Sequence, residues 1–294
     1  STYWAFAALT KGGSVVTWGD SIRGGDSGNV SSQLNSGVTD LFSTQTAFSA
    51  LKDDGSVVTW GDSEKGGDSS SVDLELSSGV IQIFSTQHAF AALKDDGSVV
   101  TWGDIYSGGN SNTVSDELTS GVSQIFPNQR AFAALKDDGS VIVWGDVPSP
   151  PTDVQEKLTS GVSQIFTASN AFAALKNDGS VVTWGGGGGD SSSVTDDLQS
   201  GVVQIFSTTS AFAALKSDGS VIVWGNEHNG GDPPTDVEAK LASGVSQIFS
   251  NGYAFAALKD DGSVVTWGNS SHGADSSGAT EELSSGVSKI FANT

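Results

Sequence analysis

Apolar residues in this chain fall into short runs separated by turn-forming residues. AFAAL (Ala89 to Leu93) and SVVTW (Ser98 to Trp102) are small, β-branched or aromatic, and Lys94-Asp95-Asp96-Gly97 joins them. A four-residue loop in which Asp tolerates the turn and Gly supplies a positive φ predicts a β-hairpin. GVSQIF (Gly121 to Phe126) predicts a third strand, followed by a few polar residues and the next AFAAL. The runs alternate only partly and lean apolar on both faces, as expected of small sheets each sandwiched between two neighbours. A fourth segment, Thr235 to Gly244, offers Thr235 with Glu238 three residues later, Val237 and Leu241 four apart, and a terminal Gly. That combination predicts one to two helical turns started by a capping box. The same spacing also fits a short outer edge strand.

These elements repeat. Trp followed by Gly stands at Trp18, Trp60, Trp102, Trp144, Trp184, Trp224 and Trp267, spaced by 42, 42, 42, 40, 40 and 43 residues. Seven units account for nearly the whole chain, so residues 1–294 are expected to be one domain without a linker. The fold class expected is all-β, a seven-bladed β-propeller whose blades carry three strands and a short helical turn. The first unit begins at AFAAL (Ala5 to Leu9) with no strand before it, and the last ends with Val287-Ser288-Lys289-Ile290-Phe291 and no hairpin after it. Pairing the two ends in one blade would remove two exposed edges and close a ring. The same ends could instead pair between molecules, giving a strand-swapped or homo-oligomeric assembly.

The pattern L-x-x-D-G-x-V-x-x-W-G, a later Gly, and V-x-x-I before the next unit resembles the regulator of chromosome condensation repeat, which implies a seven-bladed propeller. The wording AFAALKDDGSVVTWGD followed by GGDSS is similar to that of uncharacterised repeat proteins of marine microbes. Better-known members of the family place a His before the AAL strand. Here that position holds Trp4, Thr46, His88, Arg130, Asn170, Ser210 and Tyr253, one His among seven unlike residues. The chain also lacks the long inserted loop and basic tail of the exchange factor in that family, so nucleotide exchange and chromatin binding are not implied.

Composition narrows the chemistry. With 34 acidic and 13 basic side chains the formal charge is −21, which disfavours a phosphate-gripping nucleic-acid surface and an anionic membrane. No stretch approaches the ~18 consecutive apolar residues of a membrane span. The opening STYWAFA has neither an initiator Met nor a signal-peptide pattern, which suggests a mature product or an excised domain. Zero Cys rules out disulfides, thiolate metal sites and a cysteine nucleophile. The Asp-rich loops around Asp26, Asp68, Asp190, Asp232 and Asp275 offer one or two carboxylates each, short of the six to eight oxygens calcium takes, so turn capping is expected of them. No cofactor and no metal are expected. His88, His228 and His272 sit at different repeat positions without an evident nucleophile partner, and seven near-interchangeable blades argue against a catalytic one.

An antiparallel meander puts the loops before AFAAL and after Trp-Gly on one rim and the Lys-Asp-Asp-Gly turns on the other. The second rim is monotonous, whereas the first varies, at the seven positions from Trp4 to Tyr253 and in runs such as Ile105-Tyr106-Ser107 and Glu227-His228-Asn229. Drift in tolerant loops explains such variation as readily as recognition does. The repeated Trp is expected between blades rather than as a sugar platform. Two functions follow: a non-catalytic interaction propeller presenting Trp4, Thr46, His88, Arg130, Asn170, Ser210 and Tyr253 to a protein partner with a basic patch, or a multivalent glycan binder. The low Lys content and abundant Asp, Ser and Gly suit an extracellular or cell-surface setting.

Overall fold

A computed structural model describes residues 1–148 and 150–293 and contains seven antiparallel sheets in sequence order. The first has two strands, β1 (Ala5–Leu9) and β2 (Val15–Gly19); three-stranded meanders follow. They are β3–β5 (Val38–Ser43, Ala47–Lys52, Val57–Gly61), β6–β8 (Val80–Ser85, Ala89–Lys94, Val99–Gly103) and β9–β11 (Val122–Pro127, Ala131–Lys136, Val141–Gly145). Then come β12–β14 (Val162–Thr167, Ala171–Lys176, Val181–Gly185), β15–β17 (Val202–Ser207, Ala211–Lys216, Val221–Gly225) and β18–β20 (Val245–Ser250, Ala254–Lys259, Val264–Gly268). The fold is all-β, and these are the seven blades of a β-propeller. The chain divides into two compact units, Ser1–Val147 with the first four sheets and Pro148–Thr294 with the last three.

The hairpins form where the sequence places them. Lys94 N donates to Ser98 O at 2.9 Å and Gly97 N to Lys94 O at 3.0 Å, with Gly97 at φ 76°. The Lys of the turn has a role its sequence does not suggest: Lys94, Lys136, Lys176, Lys216 and Lys259 each donate from Nζ to a carbonyl at the end of the outer segment, at 2.7–2.9 Å. A cation there meets carbonyls that the last helical turn leaves unpaired.

The fourth segment is helical. It forms short 3-10 turns in most repeats and an α-helix in two, α1 (Thr152–Lys157) and α2 (Thr235–Leu241). The capping box expected at Thr235 is not made, because Pro234, at φ −58°, takes the cap position, Thr235 is already helical and no side chain caps the helix. Val287–Phe291, expected as a strand, carries no ladder, and β1 pairs with β2 alone. An edge segment without a partner has no bonds to hold it in a sheet.

Packing between sheets explains why the strands are apolar on both faces. Successive side chains of a strand point to opposite sides. Ala47 and Leu51 of β4 therefore face the following sheet, where they meet Val80, Ile83, Phe90, Ala92 and Trp102. Within each sheet the Phe of AFAAL lies directly across from the Trp of the next strand, and the rings stack with centroids 5.1–5.4 Å apart. Such a pair adds roughly 0.5–1.5 kcal/mol to its area burial. In five of the sheets the stack rests on a Gly of the preceding repeat: a Cβ on Gly66 would stand 2.6 Å from the Phe90 ring, and one on Gly24 2.5 Å from Phe48. The Trp102 indole N–H donates to the Gly66 carbonyl at 3.1 Å, and Trp60, Trp144 and Trp267 donate likewise to Gly24, Gly108 and Gly230.

Trp184 and Trp224 are as deeply buried, yet their indole nitrogens have no partner. Each ends one of the two 40-residue spacings. The two missing residues shorten the loop that elsewhere delivers the Gly carbonyl. Trp102→Phe is therefore expected to destabilise the protein by about 1 kcal/mol more than Trp184→Phe, since only the former leaves a buried carbonyl unpaired. Chemical denaturation of the two variants measures the difference.

In the six hairpins after the first, the Asp before the turn Gly accepts from the Ser two residues on, as Asp96 does from Ser98 Oγ at 2.6 Å and Ser98 N at 2.9 Å. The Ser98 hydroxyl and then its amide hold the Asp96 carboxyl below its ordinary 3.8, and the same pair of bonds acts on Asp54, Asp138, Asp178, Asp218 and Asp261. A carboxyl depressed on folding stabilises fully above its unfolded value and loses that contribution as pH falls through the folded one. The turns are thus expected to weaken only below the ordinary Asp range, and Ser98→Ala to raise the Asp96 midpoint in a carboxyl-resolved NMR titration.

Candidate functional site

The bend before six of the seven AFAAL-type strands is set by a side-chain acceptor two residues ahead of the varied position; ahead of Asn170 that place is held by Ala168, which has no such acceptor. Thr86 Oγ1 accepts from Ala89 N at 3.0 Å, Thr44 from Ala47 at 3.0 Å and Thr2 from Ala5 at 2.8 Å, while Asn128 and Asn251 serve Ala131 and Ala254 at 2.8 Å. The varied residue follows with its backbone fixed, and its carbonyl receives the amide that comes after Trp-Gly. In the first unit Asp20, Asp62, Asp104 and Asp146 donate to Trp4, Thr46, His88 and Arg130 at 3.0–3.1 Å. In the second, Gly186, Asn226 and Asn269 donate to Asn170, Ser210 and Tyr253 at 2.8–3.0 Å. All seven candidates thus occupy one structural position beside the run after Trp-Gly.

Backbone bonds also run from one sheet's bend to the next. Tyr3 N donates to Gln45 O, Gln45 N to Gln87 O and Gln87 N to Gln129 O in the first unit, at 2.9–3.2 Å. In the second, Ser169 N donates to Thr209 O and Thr209 N to Gly252 O, at 2.9 and 3.0 Å. Each unit therefore holds its varied residues in a row: Trp4, Thr46, His88 and Arg130 in one, and Asn170, Ser210 and Tyr253 in the other.

The side chains in the first row differ in kind. Trp4 is 57% exposed, and the Arg23 guanidinium lies 4.9 Å over its ring. Arg23 also pairs with Asp20 at 3.1 Å, and Arg130, exposed, pairs with Asp146 at 3.2 Å. Lys65 bridges to Asp104 of the next repeat at 2.5 Å. His88 sits half-buried beside that bridge with its Nδ1 unpartnered, and the Thr46 hydroxyl is buried without a partner. Burial, reinforced by the nearby Lys65 charge, holds the His88 imidazole below its ordinary 6.5. In the second row Asn170 is exposed, Ser210 is half-buried, and the exposed Tyr253 ring meets His272 at 4.4 Å. Arg23, Lys65 and His272, which accompany the candidates, all stand in the run after Trp-Gly, where sequence variation is their only signal.

The Asp-rich loops cap their own turns. Asp26, Asp68, Asp190 and Asp275 accept from the amide two residues on at 2.8–3.0 Å. Among the described residues no group of three or more His, Cys, Asp or Glu side chains is drawn together. The first row offers an aromatic face, three cations each matched to an Asp, and one neutral imidazole, which suits stacking and hydrogen bonding to another surface.

The His88 ring is expected to titrate below its ordinary value in a two-dimensional NMR experiment. Lys65→Gln should move that midpoint up, by removing a cation, and Asp104→Asn should move it further down.

No family model matches the chain, and no curated protein matches it. Among solved structures it is similar to yeast RCC1 (Prp20) bound to Kap60, at 17% identity and a TM-score of 0.45, over 79% of this chain and 70% of that one. Human WBSCR16 aligns at 21% identity and a TM-score of 0.44, over 76% of this chain and 74% of its own. The CRINKLY WD40 ectodomain of the Arabidopsis thaliana receptor kinase ACR4 aligns at 14% identity and 0.39, over 90% and 93%.

Proposed function

We propose that this protein is a non-catalytic interaction module whose varied rim docks a protein partner. The observation that carries this reading is the uniform backbone frame under seven unlike side chains: the bend and its bond to the residue after Trp-Gly recur in every repeat while the displayed group changes. A rigid scaffold with variation confined to one edge is the arrangement by which loops carry recognition. The unlike neighbours Trp4, Thr46, His88 and Arg130 make one composite surface rather than several copies of a sugar pocket, which favours a protein over a glycan. Trp and Arg are also the residue types that dominate the energetics of protein interfaces. The overall charge of −21 adds long-range attraction to a partner with a basic patch, weakening as salt rises.

The test is capture from the native source by the intact chain beside a Trp4→Ala, Arg130→Ala, Tyr253→Ala variant, read by mass spectrometry, with a glycan array in parallel. Loss of a specific protein with the variant, by at least tenfold, is the expected outcome. Unchanged capture, or glycan hits alone, would overturn it.

A further inference from the structure

The His88 imidazole, on the varied rim of the first unit, is half-buried, and its Nδ1 is buried without a hydrogen-bond partner. A neutral ring tolerates this by carrying its proton on Nε2 and leaving the Nδ1 lone pair unused. The protonated ring has an N–H at both nitrogens and must find an acceptor for the second. Four charged groups act on the ring. Asp62 and Lys65 stand in the run after Trp60-Gly61, Asp104 in the run after Trp102-Gly103, and Arg130 at the bend of the next repeat. The two cations oppose an imidazolium and the two carboxylates favour it, Asp104 more strongly than Asp62. Asp104 is also tied to the backbone of His88, since its amide donates to the His88 carbonyl at 3.0 Å. Its Oδ2 accepts from Lys65 Nζ at 2.5 Å and its Oδ1 from the Tyr106 amide at 3.0 Å, while Arg130 is occupied by Asp146.

Among the described residues the Lys65–Asp104 bridge is the one ion pair that joins two repeats; the others, such as Arg130–Asp146, close within one. Lys65 directly precedes Gly66, whose carbonyl takes the Trp102 indole N–H, so the bridge braces the rim beside the stacked contact. We propose that His88 and this bridge form a proton-operated latch on the docking rim: protonation of the ring draws the Asp104 carboxylate from Lys65, opens the bridge between the second and third repeats and releases the docked partner. The bond that breaks runs from Lys65 Nζ–H to Asp104 Oδ2, the bond that forms runs from His88 Nδ1–H to the same carboxylate, and the incoming proton stays on the ring. Asp104, with its side chain 16% exposed, keeps a cationic partner throughout, and Lys65, at 29%, turns its ammonium to water. Release rests on the rim being the docking surface; the latch itself does not. Burial and the Lys65 charge hold the ring below its ordinary 6.5, whereas the hairpin carboxyls such as Asp96 lie below 3.8, so the latch opens while the hairpins stay intact. A partner that binds the closed latch favours the neutral ring. Its affinity therefore falls as pH drops through the His88 midpoint, by at most about tenfold per pH unit for one proton.

Two measurements separate the latch from the docking. In the chain alone, the His88 ring, the Lys65 side chain and the Asp104 carboxyl are followed by NMR from about pH 7 to about pH 4.5, across the imidazole range. The expected result is that the Lys65 and Asp104 signals shift with the His88 midpoint and stay still over that range in His88→Gln. Lys65 signals that ignore the His88 titration would overturn the proposal. In the second measurement, the protein captured at neutral pH is washed one pH unit below the His88 midpoint, and each chain is compared with its own capture at neutral pH. The wild type is expected to lose about tenfold of its partner and His88→Gln less than about twofold. Equal release from the two chains would overturn the latch as a regulator of docking. Capture of nothing at neutral pH would overturn the docking reading and release with it, and the NMR titration would still decide the latch.

Discussion

The structure depends on one contact, the stacked Phe–Trp pair of a sheet lying on a glycine of the sheet before it. The pair is assembled across two strands of one hairpin, so the hairpin must form for it to exist. It can approach closely only because Gly66 and its equivalents lack a Cβ and sit at positive φ, 101° at Gly66. The indole N–H then finds its acceptor in that glycine's carbonyl, some 36 residues back in the chain. In the four repeats that make this bond, apolar burial, ring stacking and polar satisfaction thus converge on a single site, and the repeat length has to keep them aligned.

Where the length changes, the polar part fails first. The spacings of 40 residues leave Trp184 and Trp224 buried and stacked but without an acceptor. Stacking tolerates the shorter loop because a ring face is broad, whereas a hydrogen bond needs its acceptor within a few tenths of an ångström. The same contrast applies to the rim. Its backbone is tied down by caps and by bonds from bend to bend, so side chains from Trp to Ser are accommodated at one position at no cost to the sheets.

Much of the fold was legible in the sequence because its determinants are local. The Lys-Asp-Asp-Gly turn declares a hairpin within a few residues, and the seven Trp-Gly marks declare the number of sheets. The rim was legible as variation against repetition, at Trp4, Thr46, His88, Arg130, Asn170, Ser210 and Tyr253. The partners of those residues were not, since Lys65 reaches Asp104 from another repeat and Arg23 reaches Trp4 across a hairpin and its following turn. The capping box at Thr235 was misleading because Pro234 fixes the helix start one residue earlier.

Sequence alone determined the hairpins, their turns, the number of sheets and the two-faced apolar pattern, all of which follow from side-chain type and spacing. Tertiary structure decided which Phe and Trp are buried. Phe6 and Trp18 have the same local sequence as Phe90 and Trp102, the same register and the same stack, yet they are half exposed. Burial belongs to the sheet that comes to lie on a face, and no residue within the hairpin can supply it.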